Sequence, residues 1–480
     1  MLEKLKSLSR DTLIYGTNTI IGRFLNFILV PFYTNMFLPA EFGVVAILYS
    51  YIAILNVFFS IGLESGYMKF ASTGEAGTVK QNFSNPYLLV FFNSLILSGF
   101  IFIFASDLTG IFQIGESYSY LIKYSALILF FDTLILIPFA YLRLNNKAKS
   151  FAGIKTLNIV INVVLNLVLI LKFKFGIEAV FISNLAASFI TFIILIPLVL
   201  RNMDLTFNKQ LVSELLRFSL PYIPAGIAAN IVQIIDRPIL KYLTDDKTVG
   251  IYQANYRLGI FMMLIVAMFE YAWRPFFLNN AKEPNAKSIF SKVLTYFLTG
   301  GSFIFLIITI FINDVVKMDL PFGFHLIGKS YWEGLSIVPV ILFAYLLNGM
   351  YVNFMAGIYI EKKTKYLPLI SGLGAVSNVI ANFILIPEFS YMGAALATLI
   401  SYLVMMSGLF YVSNKFYKID YEYKNIGFIF LSLFVCTALY YLSAHNFNLP
   451  WFLNIVFPLL FVVLIFSFRV VDLKQLKKMS

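Results

Sequence analysis

LVPFYTNMFLPAEFGVVAILYSYIAIL runs from Leu29 to Leu55, and DRPILKYLTDDKTVGIYQANYRLGIFM runs from Asp236 to Met262. The two stretches align without a gap at an offset of 207 residues, so that Pro31 meets Pro238, Gly43 meets Gly250 and Tyr49 meets Tyr256. Each holds the end of one apolar run, a short polar turn and the start of the next run. A second pair follows in the same order: NVVLN from Asn162 to Asn166 and NVIAN from Asn378 to Asn382, at an offset of 216. Both lead within about a dozen residues to a glycine that opens the next run, Gly176 and Gly393. Two matches in one order with similar offsets imply a duplicated chain, and internal duplication is a habit of membrane transporters.

Working outward, the composition makes lipid the solvent. Hydrophobic residues are 60% of the chain, charged residues 12%, and mean hydropathy is +0.84. A soluble domain carries roughly 25% charged residues, too many for this chain to match on a water-exposed surface. A spanning helix needs about 20 mostly apolar residues. Fourteen such runs are present, near 12–36, 42–63, 86–105, 118–142, 153–172, 178–200, 218–241, 250–273, 292–313, 332–358, 365–387, 391–413, 425–444 and 450–469. The expected fold class is an all-α membrane protein of about fourteen transmembrane helices. The first run is long, interrupted by Arg23 and without a small-residue cleavage pattern, so no cleavable signal peptide is expected. Cys436 is the single cysteine and excludes an intrachain disulfide.

Charge placement orients the bundle. With the N-terminus cytoplasmic, 26 of the 36 Lys and Arg fall in cytoplasmic segments, six in outer loops (Lys172, Lys174, Lys241, Lys247, Lys317 and Lys329) and four in spans (Arg23, Lys123, Arg237 and Arg257). Removing one helix would invert every later loop and destroy this asymmetry, so the positive-inside rule supports an even helix count with both ends inside. The net charge of +12 is thus topological, and no nucleic-acid partner is expected. The repeat offset spans six helices. The expected plan is an N-lobe over 1–200 (helices 1–6), a cytoplasmic linker over 201–217, a C-lobe over 218–413 (helices 7–12), and helices 13–14 with a cytoplasmic tail over 414–480. Six is even, so the repeats are parallel, related by an axis along the membrane normal.

These residues carry a resemblance. RFLNFILVPFYTNMFLPAEFGVVAIL from Arg23 and IDRPILKYLTDDKTVGIYQANYRLG from Ile235 are its sharpest segments, and it covers essentially the whole chain. The sequence resembles the Wzx-type polysaccharide flippases (O-antigen and capsule translocases) of the multidrug/oligosaccharidyl-lipid/polysaccharide exporter superfamily. The resemblance implies two six-helix lobes around a central cavity open alternately to each side. It implies a polyprenyl-diphosphate-linked oligosaccharide as cargo, membrane lipid and other polysaccharide-assembly proteins as partners, and a bacterial inner-membrane location.

Charges inside spans cost several kcal/mol, somewhere between roughly 2.5 and 17 by different methods, and so face a cavity or a partner. Arg23, Arg237 and Arg257 are candidate ligands for the cargo's diphosphate, because guanidinium matches phosphate oxygens bidentately. Asp236 is a candidate charge partner for Arg257. Asp236 and Arg237 are adjacent and point about 100° apart on a helix, so they are not expected to pair with each other. Asp132, the deepest acid of the first repeat, is a candidate for a coupling proton or cation. Glu64 with Lys69, and Glu270 with Arg274, are candidate cytoplasmic gate charges. The Asn pairs read more readily as helix–helix glue than as ligands. Pro31, Pro221, Pro224 and Pro238 are placed to bend helices 1 and 7.

The nearest alternatives are a peptidoglycan lipid-precursor flippase and a multidrug cation antiporter of the same superfamily. The second would present acids to its cargo, and the first helix offers Arg23. A membrane O-antigen polymerase or acyltransferase is the alternative of another class. It would need a sizeable outer loop and a cluster of catalytic groups, and neither is evident, so the chain is not expected to be an enzyme. No cofactor is expected, and no ATP-binding motif is present. The energy must then come from an ion gradient such as H+ or Na+, from the membrane potential, or from consumption of product outside.

Overall fold

The computed structural model describes residues 27–446 and 450–470. Among them are twelve helices long and apolar enough to cross a membrane, and two shorter apolar ones. In chain order they are α1 (Phe27–Met36), α2 (Pro39–Thr73), α3 (Val79–Ile103), α4 (Glu116–Leu144), α5 (Ala148–Leu171), α6 (Glu178–Asn202), α7 (Lys209–Ile234) and α8 (Asp246–Asn280). They continue as α9 (Ala286–Lys317), α10 (Lys329–Ile360), α11 (Tyr366–Phe389), α12 (Tyr391–Phe416), α13 (Tyr423–Ala444) and α14 (Phe452–Ser467). Each of the fourteen expected runs has a helix among the described residues, the first from Phe27 onward. In lipid only such closed backbone ladders satisfy every N–H and C=O.

The chain forms two compact units, one up to Gly250 and one from Ile251. The expected linker 201–217 therefore lies inside the first unit. The 203–208 connection is pinned to the start of α3. Asn85, fully buried, receives the Asn208 N–H at 3.0 Å and donates to the Thr206 carbonyl at 3.2 Å. Ser84 Oγ receives the Asp204 N–H at 2.8 Å.

The duplication is visible in the packing. In the first unit α4 packs against α2, α3 and α6, and α5 against α6; in the second α10 packs against α8, α9 and α12, and α11 against α12. The lipid-facing stripes agree residue by residue at the offset of 216. Gly153, Leu157, Val160, Val164, Leu167 and Val168 are exposed on α5, and so are Leu369, Leu373, Val376, Ile380, Phe383 and Ile384 on α11. Steps of three and four residues keep each stripe on one helical face.

The repeat-related glycines also meet. A Cβ on Gly43 would overlap the Asp246 carbonyl, and one on Gly250 would overlap the Pro39 carbonyl. Pro39 and Asp246 differ by the same 207 residues, so this crossing of α2 with the first turn of α8 is its own image under the repeat. Small residues permit that approach. Asp245 caps the turn: its Oδ1 accepts the Thr248 N–H at 2.7 Å, which holds the carboxyl below its ordinary range.

Breaks fall at two of the four expected prolines, Pro221 and Pro238, while Pro31 and Pro224 lie within unbroken helix. The helical segment Lys209–Ser219 gives way to Tyr222–Ile234 around Pro221, and Ile235 separates that from Asp236–Leu243 beside Pro238. Proline cannot donate to the helical ladder. Opposite the first break α2 is kinked, with Ile61 (φ 47°) and Gly62 (φ 66°) both left-handed. A β-branched residue rarely adopts that region, and a Cβ on Gly62 would crowd the Ser219 carbonyl and the Tyr222 Cβ.

Candidate functional site

Within the first unit, Asp236 and Arg237 open the segment Asp236–Leu243 and do pair, against the expectation from their adjacency. Arg237 Nη1 donates to Asp236 Oδ1 at 2.6 Å and to the Gln233 carbonyl at 2.5 Å. The adjacency argument compared side-chain directions alone. The helical ladder continues through Ile235, whose N–H bonds the Ile231 carbonyl and whose carbonyl accepts the Ile239 N–H. The long arginine side chain bends back toward Gln233 and so reaches its neighbour's carboxylate. The two side chains are 7% and 1% exposed, so the pair is sealed into the packing. Lys241 Nζ lies 2.9 Å from Asp246 Oδ2.

Asp132 sits midway along α4 and accepts a hydrogen bond from Ser188 Oγ of α6 at 2.5 Å. Its nearby cation is not Lys123, which lies over the Phe102 ring at 5.4 Å, but Lys155 of α5, close enough for its charge to act on Asp132. Lys155 Nζ lies over the Phe139 ring at 4.7 Å. Charge counting had put Lys155 in a cytoplasmic segment, yet α5 begins at Ala148 and carries it into the bundle. The signal was in the sequence: Lys155, Asn158 and Asn162 are spaced three and four apart, one polar face of an otherwise apolar helix. Asn158 Nδ2 donates to Thr191 Oγ1 of α6 at 2.9 Å on that face.

At the expected gate, Glu64 does not turn to Lys69. Residues five apart on a helix diverge by about 140°. Glu64 forms an ion pair with Arg143 of α4, and Lys69 lies over the Phe70 and Phe218 rings at 4.8 and 4.5 Å. In the second unit Arg274 likewise leaves Glu270 and donates from Nη2 to the Tyr359 hydroxyl at 2.7 Å, with the guanidinium 4.6 Å from that ring's centroid. The planar guanidinium gains both an acceptor and a π-face there.

Arg257 has a distinct setting. It begins a 3-10 turn, Arg257–Gly259, between the helical segments Asp246–Tyr256 and Ile260–Asn280. From Ile251 to Ile260 it is exposed while every other residue is buried. The turn is held from behind: Tyr256 and Tyr345 hydroxyls are 3.1 Å apart, and a Cβ on Gly259 would strike Ile341. Short 3-10 stretches inside long helices often mark functional positions. Arg23 lies outside the described residues.

Both Asn pairs adopt one arrangement. Asn166 Nδ2 donates to Asn162 Oδ1 at 3.0 Å, and Asn382 Nδ2 to Asn378 Oδ1 at 2.9 Å. In the first unit Tyr33 completes the pair by donating to Asn166 Oδ1 at 2.8 Å. In the second, Asn378 Nδ2 and Asn382 Oδ1 are buried without a hydrogen-bond partner.

Fourteen helices in two repeats plus a pair, with ionisable groups held inside the spans, define a multi-pass membrane protein of transporter architecture. The sequence matches the family described as polysaccharide biosynthesis protein over residues 34–278. That is just over half of the chain, and the protein belongs to this family. No curated protein matches it. Among solved structures, it is similar to a lipid II flippase MurJ in an inward closed conformation: TM-score 0.74, 16% identity, 95% of this chain and 98% of that one covered. An inward-facing multidrug resistance MATE transporter of the MOP superfamily gives TM-score 0.65 at 14% identity, covering 82% and 94%. An outward-facing one gives 0.57 at 14%, covering 85% and 95%. The chain shares its fold with these flippase and multidrug-transporter structures.

Proposed function

We propose that this protein is a flippase that moves a polyprenyl-diphosphate-linked oligosaccharide across the bacterial cytoplasmic membrane by alternating access, for cell-surface polysaccharides such as O-antigen. The reading is carried by membership of a polysaccharide biosynthesis family in a fold shared with a lipid II flippase. Arg257, exposed on an otherwise buried turn, supports it, because guanidinium suits a diphosphate. Arg23 and Arg257 are its proposed cargo contacts. Arg237 is assigned to Asp236 instead, since the pair is nearly sealed. A drug exporter for cations would need acids where Arg257 stands. A peptidoglycan-precursor flippase is the second reading, favoured by the near-complete overlap with MurJ. Both ends lie in the cytoplasm in this reading, and an ion gradient drives the cycle.

The test follows lipid-linked oligosaccharide in a deletion strain. Single repeat units should collect on the cytoplasmic leaflet, relieved by the wild type and at least tenfold less by Arg257→Ala at equal expression. Units that reach the outer face without being polymerised would overturn the reading in favour of a polymerase. Accumulation of peptidoglycan precursor instead would favour the second reading.

A further inference from the structure

We propose that Asp132 and Lys155 form a proton-binding site inside the first unit, in which the Asp132 carboxylate takes up one proton and Lys155 is its displaceable counter-charge. It rests on the transport reading only for its consequence, which is to supply the coupling ion; the site itself is independent of the cargo.

The geometry carries it. Asp132 and Lys155 are both half-buried on α4 and α5, within spans where a lone charge costs several kcal/mol. Their charges interact, yet among the described residues no ion pair joins them. Lys155 Nζ rests on Phe139, which lies two turns from Asp132 on the same face of α4. A four-carbon stem lets the ammonium move from that ring toward the carboxylate. Ser188 occupies Oδ1, and Oδ2 is not among the buried atoms lacking a partner.

Few other charges face the site. On α4, Arg143 pairs with Glu64 of α2 and its charge also acts on Lys155, while Lys123 lies over Phe102. Between Lys80 and Ile103 α3 has no charged residue, and between Glu178 and Arg201 α6 has none. The Asp132 carboxylate can thus be offset in two ways: by the Lys155 ammonium moved toward it, which leaves the unit neutral, or by a proton, which leaves the Lys155 charge on the Phe139 ring and the unit at one positive charge. The proton and the ammonium compete for one carboxylate. The step is –COO⁻ + H⁺ → –COOH, and Lys155 stays protonated throughout. In the structure the ammonium lies over the Phe139 ring.

A proton fits better than a metal cation. The Ser188 hydroxyl directs its hydrogen at the carboxylate and offers no second anionic ligand. Hard cations need several oxygens, and the described residues hold no cluster of His, Cys, Asp and Glu fit for a metal. The Lys155 charge would also repel one.

The experiment uses the purified full chain in lipid nanodiscs without cargo. Infrared difference spectra between about pH 4 and 9 bracket the carboxylic range. The expected result is a protonated-carboxylic carbonyl band that titrates, is lost in Asp132→Asn, and persists to higher pH in Lys155→Met. If Asp132→Asn fails to fold, Asp132→Glu serves, and the band should move rather than vanish. The proposal is overturned if no titrating band depends on residue 132, or if Lys155→Met leaves the midpoint unchanged. A normal band in a protein that moves no lipid-linked sugar would sink the flippase reading and leave the proton site standing. Transport with no such band would do the reverse.

Discussion

Replacing Arg237 by Met decides whether this arginine serves the cargo or the fold. Methionine keeps most of the volume and removes the charge. Asp236, 1% exposed at its side chain, would then be a carboxylate without its partner 2.6 Å away, and the Gln233 carbonyl would lose its donor. Removing one member of a buried ion pair costs about 3–5 kcal/mol, because the other charge stays desolvated. Membrane proteins of this kind lose cooperative folding under heat, so the readout is the fraction that survives a temperature series as a monodisperse peak in detergent. Arg237→Met should fall well below the wild type. The double variant Asp236→Asn, Arg237→Met should recover most of the loss, since a neutral amide and a thioether pay far less desolvation. Lys241 and Asp246 lie outside the exchange, paired with each other at 2.9 Å. If Arg237→Met is as heat-stable as the wild type while lipid-linked sugar accumulates, the assignment fails and Arg237 returns to the cargo contacts.

Gly43→Ala and Gly250→Ala should each destabilise by about 1–3 kcal/mol, the usual cost of overpacking, because each new Cβ would overlap a backbone carbonyl. The double variant should cost less than the two added, since one separation of α2 from the turn of α8 relieves both, and the same heating series reads the shortfall. Tyr33→Phe should cost about 1–3 kcal/mol by leaving the buried Asn166 Oδ1 unpaired, again by heat survival, and Asn166→Leu should absorb most of that cost when combined with it.

Helix number, order and the repeat were legible because lipid enforces them: an apolar run of sufficient length has few other ways to satisfy its backbone. The site was legible in part. Arg257 stood out as a cation inside a span, and the structure sets it on the exposed side of a 3-10 turn. Asp132 stood out as a deep acid, but its partners did not, because Ser188 is two helices away in sequence. Pairings inferred from local spacing fared worst. Glu64 found Arg143, 79 residues distant, and Arg274 found Tyr359, 85 residues distant. Side chains at helix ends choose among neighbouring helices as freely as along their own. Asp236 and Arg237 paired because the arginine side chain is long enough to fold back to the Gln233 carbonyl and reach its neighbour, a reach that Cβ directions alone do not predict.

The two repeats differ where lipid does not constrain them. Position by position at the offset of 216, α5 and α11 share an outer stripe, yet Lys155 corresponds to Ser371 and Asn158 to Gly374. Gly374 lets α12 come close: a Cβ there would overlap Met405, and Ser401 Oγ donates to the Gly374 carbonyl at 2.8 Å. On α5 the same face keeps half-buried polar groups, with Asn158 reaching Thr191 and Lys155 resting on Phe139. Lipid accepts any apolar side chain, so the outer stripe carries little information about chemistry. The inner face differs between the repeats, a tight seam in the second unit and a half-buried, ionisable face in the first. A coupling group would have to sit on such a divergent inner face, because both copies of the outer face answer only to the membrane.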